Sequence, residues 1–117
     1  MINKRKIGII GEKLAQKYLI DKEYKIIATN FYTKRGEIDI IAKKEQCIVF
    51  IEVKTRSNLK YGTPAMAVGN IKKNHIKTAA KVFLQLNRLQ NCSVRFDVIE
   101  IYIIGGKYRI NHIESII

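Results

Sequence analysis

Three carboxylates and one lysine interrupt two neighbouring apolar stretches of the sequence, residues 36–42 and 48–54. Both stretches are rich in β-branched residues and are separated by a short polar segment, which predicts the two strands of a β-hairpin. Because successive side chains of a strand point to opposite faces, the two charged residues within each stretch share a face. These charged residues are Glu37 and Asp39 in the first stretch and Glu52 and Lys54 in the second.

The register of this hairpin decides how closely the carboxylates approach. A four-residue turn would pair Ala42 with Cys47 and would set Glu37 opposite Glu52. Asp39 would then be a diagonal neighbour of Glu52 at roughly 7–8 Å, near enough for two carboxylates to bind one ion. Like charges at such separations repel each other unless a cation lies between them. The pattern therefore predicts a divalent metal site.

Such a site suits the hydrolysis of phosphodiester bonds. Mg²⁺ (or Mn²⁺) prefers oxygen ligands and keeps several waters, so Asp39, Glu52 and the backbone carbonyl of Val53 could hold one ion. The ion would polarise the phosphate and acidify a water molecule. Lys54 could steady the attacking water or offset charge in the transition state. Glu12, on a predicted first helix, could complete the site directly or through a water.

An excess of positive charge indicates a polyanionic partner. The 117-residue chain carries 22 Lys and Arg against 10 Asp and Glu, a formal net charge of +12, and nucleic acid is the simplest such partner. The alternative is a basic protein that merely works in acidic surroundings. A basic rim is expected to hold the flanking backbone phosphates, which makes binding salt-dependent. Its residues are Arg35, Arg56, Lys60 and Lys72.

Length and composition predict one globular domain over residues 1–117. No apolar run is long enough to span a membrane, and the basic N-terminus lacks the features of a signal peptide, so a cytoplasmic protein is expected. Cys47 and Cys92 lack metal-ligand spacing. Two buried thiols in a reducing compartment are therefore the simplest interpretation.

The order of apolar periodicities predicts an α-β-β-β-α-β-β chain. A polar segment after the hairpin predicts a loop, and Gly105-Gly106 predicts a tight turn between the last two strands. The helical crossover from the third to the fourth strand predicts parallel pairing there, so the fold class is α/β, a mixed sheet flanked by helices. The predicted helices cover residues 6–21 and the region from about 65, the outer strands 24–31, 93–104 and 108–113, and the loop 55–64.

Several sequence blocks resemble the YraN family of small bacterial proteins, over nearly the whole chain. The family resembles the restriction-endonuclease-like superfamily, whose signature is an acidic residue, then Asp, then Glu-x-Lys, and whose members include archaeal Holliday junction resolvases. Ile38 stands where many superfamily members have Pro, in agreement with the family block. The blocks are Gly11-Glu12-x-x-Ala15-x-x-Tyr18-Leu19, Arg35 to Ala42, Phe50 to Arg56, Tyr61 to Pro64, Lys72, Ala79-Ala80 and Arg95 to Val98.

The resemblance implies a restriction-endonuclease-like sheet with Asp39 and Glu52 as metal ligands, Lys54 as the catalytic lysine and Glu12 as the helix-borne acid. It assigns no separate role to Glu37. The implied activity is that of a metal-dependent endonuclease acting on DNA, including branched or otherwise structured DNA. A non-catalytic nucleic-acid-binding scaffold with the same fold and a nuclease acting on RNA stay open. A homodimer is expected only by analogy with resolvases, which act on two-fold symmetric junctions.

Each candidate also has a structural interpretation. On Glu-x-Lys alone, a surface ion pair of Lys54 with Glu52 or Glu37 is simpler than a metal site, and only Asp39 together with the family blocks reverses that preference. Glu12 could equally be a favourable charge near the start of a helix.

Three further polar residues are expected to be structural. Asp97 shares a strand face with Arg95, which predicts an ion pair. His75 falls on the apolar stripe of the second helix, and His112 is expected on the surface of the last strand. Neither histidine has a second ligand at suitable spacing, so no zinc site is expected.

Overall fold

The helices and strands follow one another in the predicted order. The computed structural model describes residues 4–57, 70–89 and 91–117. Within this part of the chain the elements are α1 (Lys4–Asp21), β1 (Lys25–Tyr32), β2 (Glu37–Lys44), β3 (Cys47–Arg56), α2 (Asn70–Leu86), β4 (Ser93–Ile104) and β5 (Lys107–Ile113).

The main difference from the predicted boundaries lies at the end of β3. Thr55 and Arg56 continue the strand, because they pair with Ile101 and Tyr102 of β4, whereas the sequence placed them in a loop. The predicted loop after Ser57 and the predicted start of the second helix lie outside the described residues.

The five strands form one mixed sheet in the order β1-β2-β3-β4-β5. Neighbouring strands are antiparallel except for β3 and β4, which are parallel from Cys47↔Ser93 to Arg56↔Tyr102. The predicted parallel pairing across the crossover is therefore confirmed, as is a mixed α/β fold. The central position of β3 matters for function, because its C-terminal half carries Glu52 and Lys54.

α1 covers one face of the sheet with small and apolar residues spaced by one turn. Gly11, Ala15 and Leu19 are all buried, and their four-residue spacing places them on one helix face. Ala15 and Leu19 pack in one cluster with Ile40 and Ile51 of the sheet. The small residues let the helix come close to the strands, which brings Glu12 next to the end of β3.

α2 covers the opposite face. Its buried stripe begins at Ile76 and packs on Phe50 and its neighbours, with the i, i+3, i+4, i+7 spacing of an amphipathic helix. His75 precedes this stripe and is exposed, so its predicted place on the apolar stripe was wrong by one position. The stripe comprises Ile76, Ala79, Ala80 and Phe83.

The sequence predicted one of the two hairpin turns correctly and the other incorrectly. Gly105 and Gly106 both have positive φ, 58° and 76°, which is the backbone that a tight two-residue turn demands and glycine tolerates. The β2–β3 turn is also tight, since Lys44 pairs with Cys47, so the predicted four-residue turn was wrong. Glu45 adopts a φ of 55° there, a conformation that its residue type does not signal.

A polar network beneath the C-terminal segment corrects the prediction for His112. Nε2 of His112 lies 2.7 Å from Oδ2 of Asp97, and Nδ1 lies 3.1 Å from the hydroxyl of Tyr18. The His112 side chain is 9% exposed, so it is not a surface residue. The predicted ion pair of Arg95 with Asp97 is confirmed at 2.9 Å.

The described residues bear on two expectations from composition, which concern the burial of the two thiols and membrane-spanning helices. Cys47 and Cys92 are both half-buried free thiols, so they are less buried than expected. Neither α1 nor α2 has the length and apolar character that crossing a membrane requires.

Candidate active site

The candidate site lies where β2 and β3 separate. Their ladder ends at Ile40↔Ile51, although β2 begins at Glu37 and β3 continues to Arg56. Beyond this point β2 pairs only with β1, whereas β3 pairs with β4. The separation leaves a gap in the sheet that begins at Asp39 on one side and at Glu52 on the other.

The true register brings these two residues closer than the sequence suggested. The observed pairs place Ala42 opposite Val49, so continuing the same register sets Asp39 directly across from Glu52 rather than diagonal to it. The backbone N–H of Val53 donates a hydrogen bond to Oδ2 of Asp39 at 2.8 Å. A hydrogen bond to a side chain thus replaces the backbone hydrogen bonds of the ladder where the two strands separate.

β2 is irregular at Asp39. Ile38 and Ile41 pack towards α2, whereas Ile40 packs towards α1, so strict alternation fails between Ile38 and Ile40. On the facing strand Asn30 has a φ of 52°, and the β1–β2 ladder omits the Asn30–Asp39 position. Such local breaks in pairing re-aim side chains and are common beside active sites.

Asp39 is the electrostatic centre of the site. Its pKa is raised from 3.8 to about 6, mainly because burial disfavours the charged carboxylate. The Val53 hydrogen bond lowers the pKa, but the negative charges of Glu12, Glu52 and Glu37 raise it again. The three glutamates are therefore near enough to Asp39 to act on its charge, although they come from different elements.

Glu12 reaches the site because α1 touches β3 without a gap. A Cβ built at Gly11 would overlap Oγ1 of Thr55, so only glycine permits this approach without a shift. Glu12, the next residue, is half-buried. Burial raises its pKa, and the negative charge of Glu37 adds to the effect.

Glu52 and Lys54 form an ion pair inside the same region. Nζ of Lys54 lies 2.9 Å from Oε1 of Glu52, and the two side chains are 21% and 11% exposed. Both residues belong to the part of β3 that pairs with β4, opposite Val98 and Glu100. The structure therefore connects the four residues that the sequence proposed as catalytic through pairwise interactions: Glu12 and Glu52 act on the charge of Asp39, and Lys54 pairs with Glu52.

An open cleft borders this group. It has a volume of about 330 Å³ and lies between the first turns of α1 and the end of β3. Glu12 and Val53 contribute to its wall together with Arg56. Solvent therefore reaches Glu12 through this cleft, whereas Glu37 and Glu52 line a separate, much smaller pocket on the α2 side of the sheet.

The four basic candidates have different surroundings. Arg35 is exposed in the tight turn before β2, where its backbone N–H bonds to Oγ1 of Thr33. Arg56 lines the cleft and lies 3.7 Å from the carboxylate of Glu100. Lys60 and the side chain of Lys72 lie outside the described residues.

Sequence reasoning missed Glu100. Its side chain is 1% exposed and lies between Arg56 and the hydroxyl of Tyr102. The signal was available, because Glu100 interrupts the apolar run of β4 as Glu52 interrupts that of β3. Glu100 anchors Arg56 beside the cleft, because a buried carboxylate requires a cationic or hydrogen-bonding partner.

The arrangement fits a sparsely liganded cation better than a closed metal cage. Among the described residues no three His, Cys, Asp or Glu side chains are grouped closely enough to form a ready-made metal site. Mg²⁺ does not need one, because it commonly binds one or two carboxylates and keeps its waters. The neighbouring carboxylates repel the charge of Asp39 and raise its pKa, and a bound cation would relieve that repulsion.

Comparison with known proteins assigns the chain to a family. A UPF0102 protein of Alkaliphilus oremlandii is 48% identical over 113 residues, which are 95% of this chain and 97% of that protein. A UPF0102 protein of Clostridioides difficile is 46% identical, covering 97% of this chain and 98% of its own length. The model of the uncharacterised protein family UPF0102 matches residues 11–101. The chain therefore belongs to the UPF0102 family, which is the YraN family that its sequence blocks resemble.

Proposed function

We propose that this protein is a metal-dependent endonuclease that hydrolyses phosphodiester bonds in DNA, built on a restriction-endonuclease-like sheet. One observation carries the proposal. Asp39 lies at a break in the sheet, hydrogen-bonded to Val53 and electrostatically coupled to Glu12 and Glu52, and Glu12 and Val53 line an open cleft. Carboxylates with raised pKa values in a cleft are typical of functional sites.

Asp39, Glu52 and the backbone carbonyl of Val53 would hold a divalent cation, Mg²⁺ or Mn²⁺. When bound, the cation would polarise the scissile phosphate and favour deprotonation of a water molecule. Asp39 must be ionised to bind it, and a pKa of about 6 leaves the carboxylate charged at neutral pH. The hydrogen bond from Val53 fixes the orientation of that carboxylate before any ligand arrives.

Lys54 would supply positive charge to the reacting phosphate. Its ammonium group already lies at the carboxylate of Glu52, so a phosphate that binds beside Glu52 would meet a positioned cation rather than a mobile one. Such preorganised charge stabilises the charge that develops in the transition state. Glu12 would accept a proton from, or orient, a water molecule from the α1 side, since its raised pKa favours proton exchange.

DNA is proposed as substrate on two grounds. The net charge of +12 favours a polyanion, and the resemblance to resolvases favours DNA, including branched DNA. Arg35 and Arg56 would contact flanking phosphates, which positions a substrate without reading its bases. RNA remains the alternative with the same phosphodiester chemistry.

A specific observation also favours a non-catalytic nucleic-acid-binding scaffold. The 2.9 Å contact between Lys54 and Glu52 is what a purely structural ion pair would show. Under this second candidate function the carboxylates would bind no cation, and the basic charge would account for all nucleic-acid affinity.

Cleavage assays separate the two functions. The protein is incubated with Mg²⁺ or Mn²⁺ and a panel of labelled single strands, duplexes, flaps and four-way junctions, each in DNA and RNA. We expect cleavage of at least one DNA substrate and a loss of about 100-fold or more in Glu52→Gln and Lys54→Met, because each removes a charged group from the transition state. The matched controls Glu45→Gln and Lys43→Met change exposed residues near the far end of the same hairpin and should cleave normally.

Metal binding is measured without reference to cleavage. Saturating Mn²⁺ should raise the melting temperature of the parent protein, because binding to the folded state alone stabilises it, by about 2.7 kcal/mol at 100 times Kd. The shift should disappear in Glu52→Gln and persist in Glu45→Gln. No cleavage and no Mn²⁺ shift, with tight salt-sensitive binding of DNA, would establish the scaffold function instead.

A further inference from the structure

The β4–β5 hairpin carries a second group of basic and aromatic side chains outside the candidate active site. A groove of about 170 Å³ lies on this hairpin. Its charged residues are both positive, and its two tyrosines add aromatic surface. The groove is lined by Tyr102, Ile104, Lys107, Tyr108 and Arg109, and its four basic and aromatic members, Tyr102, Lys107, Tyr108 and Arg109, are called the hairpin strip below.

Contacts within the hairpin strip hold Tyr102 in place. The guanidinium of Arg109 lies over the Tyr102 ring, 5.3 Å from its centroid, in the range of a cation–π contact. On its other side the Tyr102 hydroxyl hydrogen-bonds to the buried carboxylate of Glu100, which raises the pKa of Tyr102. Tyr102 is therefore an anchored ring that carries a guanidinium plane.

Tyr108 is more exposed to solvent than Tyr102. Its side chain is 53% exposed on the edge strand β5, where it alternates with the basic residues of the hairpin strip and so lies on the α1 face of the sheet. It borders the hairpin groove from that edge and also lines a second groove against α1, beside Lys17, Asp21 and Lys22. An exposed aromatic ring between cationic groups offers a base a stacking surface and its phosphates a charge partner.

The register connects the hairpin strip to the candidate active site. Arg56 pairs with Tyr102, and Tyr102 pairs with Arg109, so the three residues form one row across β3, β4 and β5. Arg56 is also a wall of the cleft. With neighbouring strands about 4.8 Å apart, the backbone of Arg109 lies roughly 10 Å from that of Arg56.

We infer that the hairpin strip binds single-stranded nucleic acid next to the cleft, with bases stacked on Tyr108 and phosphates held by Lys107 and Arg109. The inference rests on the proposed function, because that function makes the cleft part of the cleavage site. It adds that the nucleic acid next to the cleft on this side is single-stranded. A duplex is a poorer occupant, because its bases are already stacked on one another and cannot reach an aromatic ring.

The family model matches residues 11–101, so all four members of the hairpin strip lie beyond its matched segment, although the relatives align over nearly the whole chain. No role for the hairpin strip follows from the family model.

Binding is tested in EDTA, so that the result does not depend on metal or cleavage. Fluorescence anisotropy is measured with labelled oligothymidine and oligouridine of about 15 nucleotides, and with a duplex of equal length. We expect Tyr108→Ala and Arg109→Ala each to weaken single-strand binding about tenfold, the order expected for one lost stacking or cation–π contact. The DNA and RNA arms show which single strand is preferred.

Two control variants isolate the contribution of the ring and of the site. Tyr108→Phe keeps the ring and should bind within about twofold of the parent. Lys43→Ala removes the same charge as Arg109→Ala from an exposed position near the opposite end of the sheet, and it should also bind within about twofold.

Several outcomes would overturn the inference. One is a parent protein that binds neither single strand, and another is a pair of variants, Tyr108→Ala and Arg109→Ala, that bind like the parent. A third is a loss of single-strand binding in Lys43→Ala equal to that in Arg109→Ala. A fourth is an equal loss of duplex and single-strand binding in Tyr108→Ala. Failure of the proposed function looks different. It would appear as absent cleavage with Mg²⁺ while the anisotropy results in EDTA stay as expected.

Discussion

Asp39 and Asp97 lie on strands of one sheet but are held in opposite ways. Asp97 is 1% exposed, and burial alone would raise its pKa, but hydrogen bonds from His112, Arg95 and the backbone of Ser115 lower it. Asp39 receives one backbone hydrogen bond and is surrounded by negative charge, so its pKa rises to about 6. An aspartate is thus surrounded by hydrogen-bond donors in one region and mainly by repelling negative charges in the other.

The difference separates structure from function within one fold. The Asp97 region fixes the C-terminal segment, because the backbone N–H of Ser115 donates to Asp97 and that of Ile116 donates to the carbonyl of Phe96. Among the described residues, the contact that lowers the pKa of Asp39 is the hydrogen bond from the Val53 N–H. A protein retains such a cluster most readily when a ligand relieves it, and it accepts reduced stability at the site until the ligand binds.

The largest expected effect comes from removing the charge at Asp97. Asp97→Asn should lower the free energy of unfolding by about 3 kcal/mol, because it removes the buried carboxylate partner of the Arg95 guanidinium and leaves only the exposed carboxylate of Glu114. The measurement is urea unfolding at pH 7, followed by circular dichroism. A loss below about 1 kcal/mol would mean that the network contributes no more than a surface ion pair, and the contrast between the two aspartates would fail.

An intermediate effect is expected at Gly11, because α1 contributes to both regions through Glu12 and Tyr18. Gly11→Ala should destabilise the protein by about 1–3 kcal/mol, since the added methyl overlaps Thr55 and displaces the helix. Cleavage should fall further than stability predicts, because Glu12 moves with the helix. The measurements are urea unfolding and the initial rate of cleavage at a temperature where both proteins are folded.

Gly8→Ala is the matched control for Gly11→Ala. A Cβ at Gly8 meets nothing within 4 Å, and alanine favours a helix interior by roughly 0.5–1 kcal/mol over glycine. Gly8→Ala should therefore be as stable as the parent or more stable. If both variants lose stability equally, the close contact at Thr55 is not what makes Gly11 necessary.

The smallest expected effect has the opposite sign to that of Asp97→Asn. Asp39→Asn should stabilise the metal-free protein at pH 8 by about 1–2 kcal/mol, the value of a raised pKa discounted for partial exposure. The native pKa of about 6 exceeds the ordinary 3.8, so the ionised form is the less stable one. The gain should be full above pH 6 and should vanish below pH 4 as both states of the parent become protonated.

Urea unfolding of the parent and Asp39→Asn across this pH range checks the sign. The charged and polar groups that face Asp39 are Glu12 from α1, Glu37 from β2 and Glu52 with the Val53 N–H from β3, and Lys54 lies at Glu52. If Asp39→Asn destabilises the protein at pH 8, the Lys54 charge compensates the cluster, and the case for an added cation weakens.

The sequence predicted those features of the fold that depend on local patterns. The order of elements followed from helical and strand periodicity, the last turn from Gly105-Gly106, and the parallel pair from the helical crossover. The β2–β3 register was wrong, because Glu45 takes a left-handed conformation that only the assembled hairpin imposes. A turn of two residues moved the pairing so that Asp39 faces Glu52 directly.

Long-range contacts account for the rest. His112 was expected on the surface, but it meets Tyr18, which is 94 residues away in the chain, and no local pattern encodes such a contact. The gap at Asp39 is of the same kind, because it depends on where the β2–β3 ladder ends in the assembled sheet, at Ile40↔Ile51. The residue types at the candidate site could be read from strand spacing, whereas the opening between the strands could not.

The parallel pairing of β3 and β4 has a consequence for the folding pathway. β1, β2 and β3 form a meander from consecutive residues, and β4 and β5 form a hairpin, whereas the β3–β4 pair joins positions more than 40 residues apart. Such contacts form late because their loop-closure entropy is larger. Until they form, residues 52–56 of β3 have no ladder partner in the described part of the chain, because β2 pairs with β3 only as far as Ile51, and a partly folded chain therefore does not hold Glu52 and Lys54 beside Asp39. Nuclease chemistry of the proposed kind would then be confined to molecules that have completed folding.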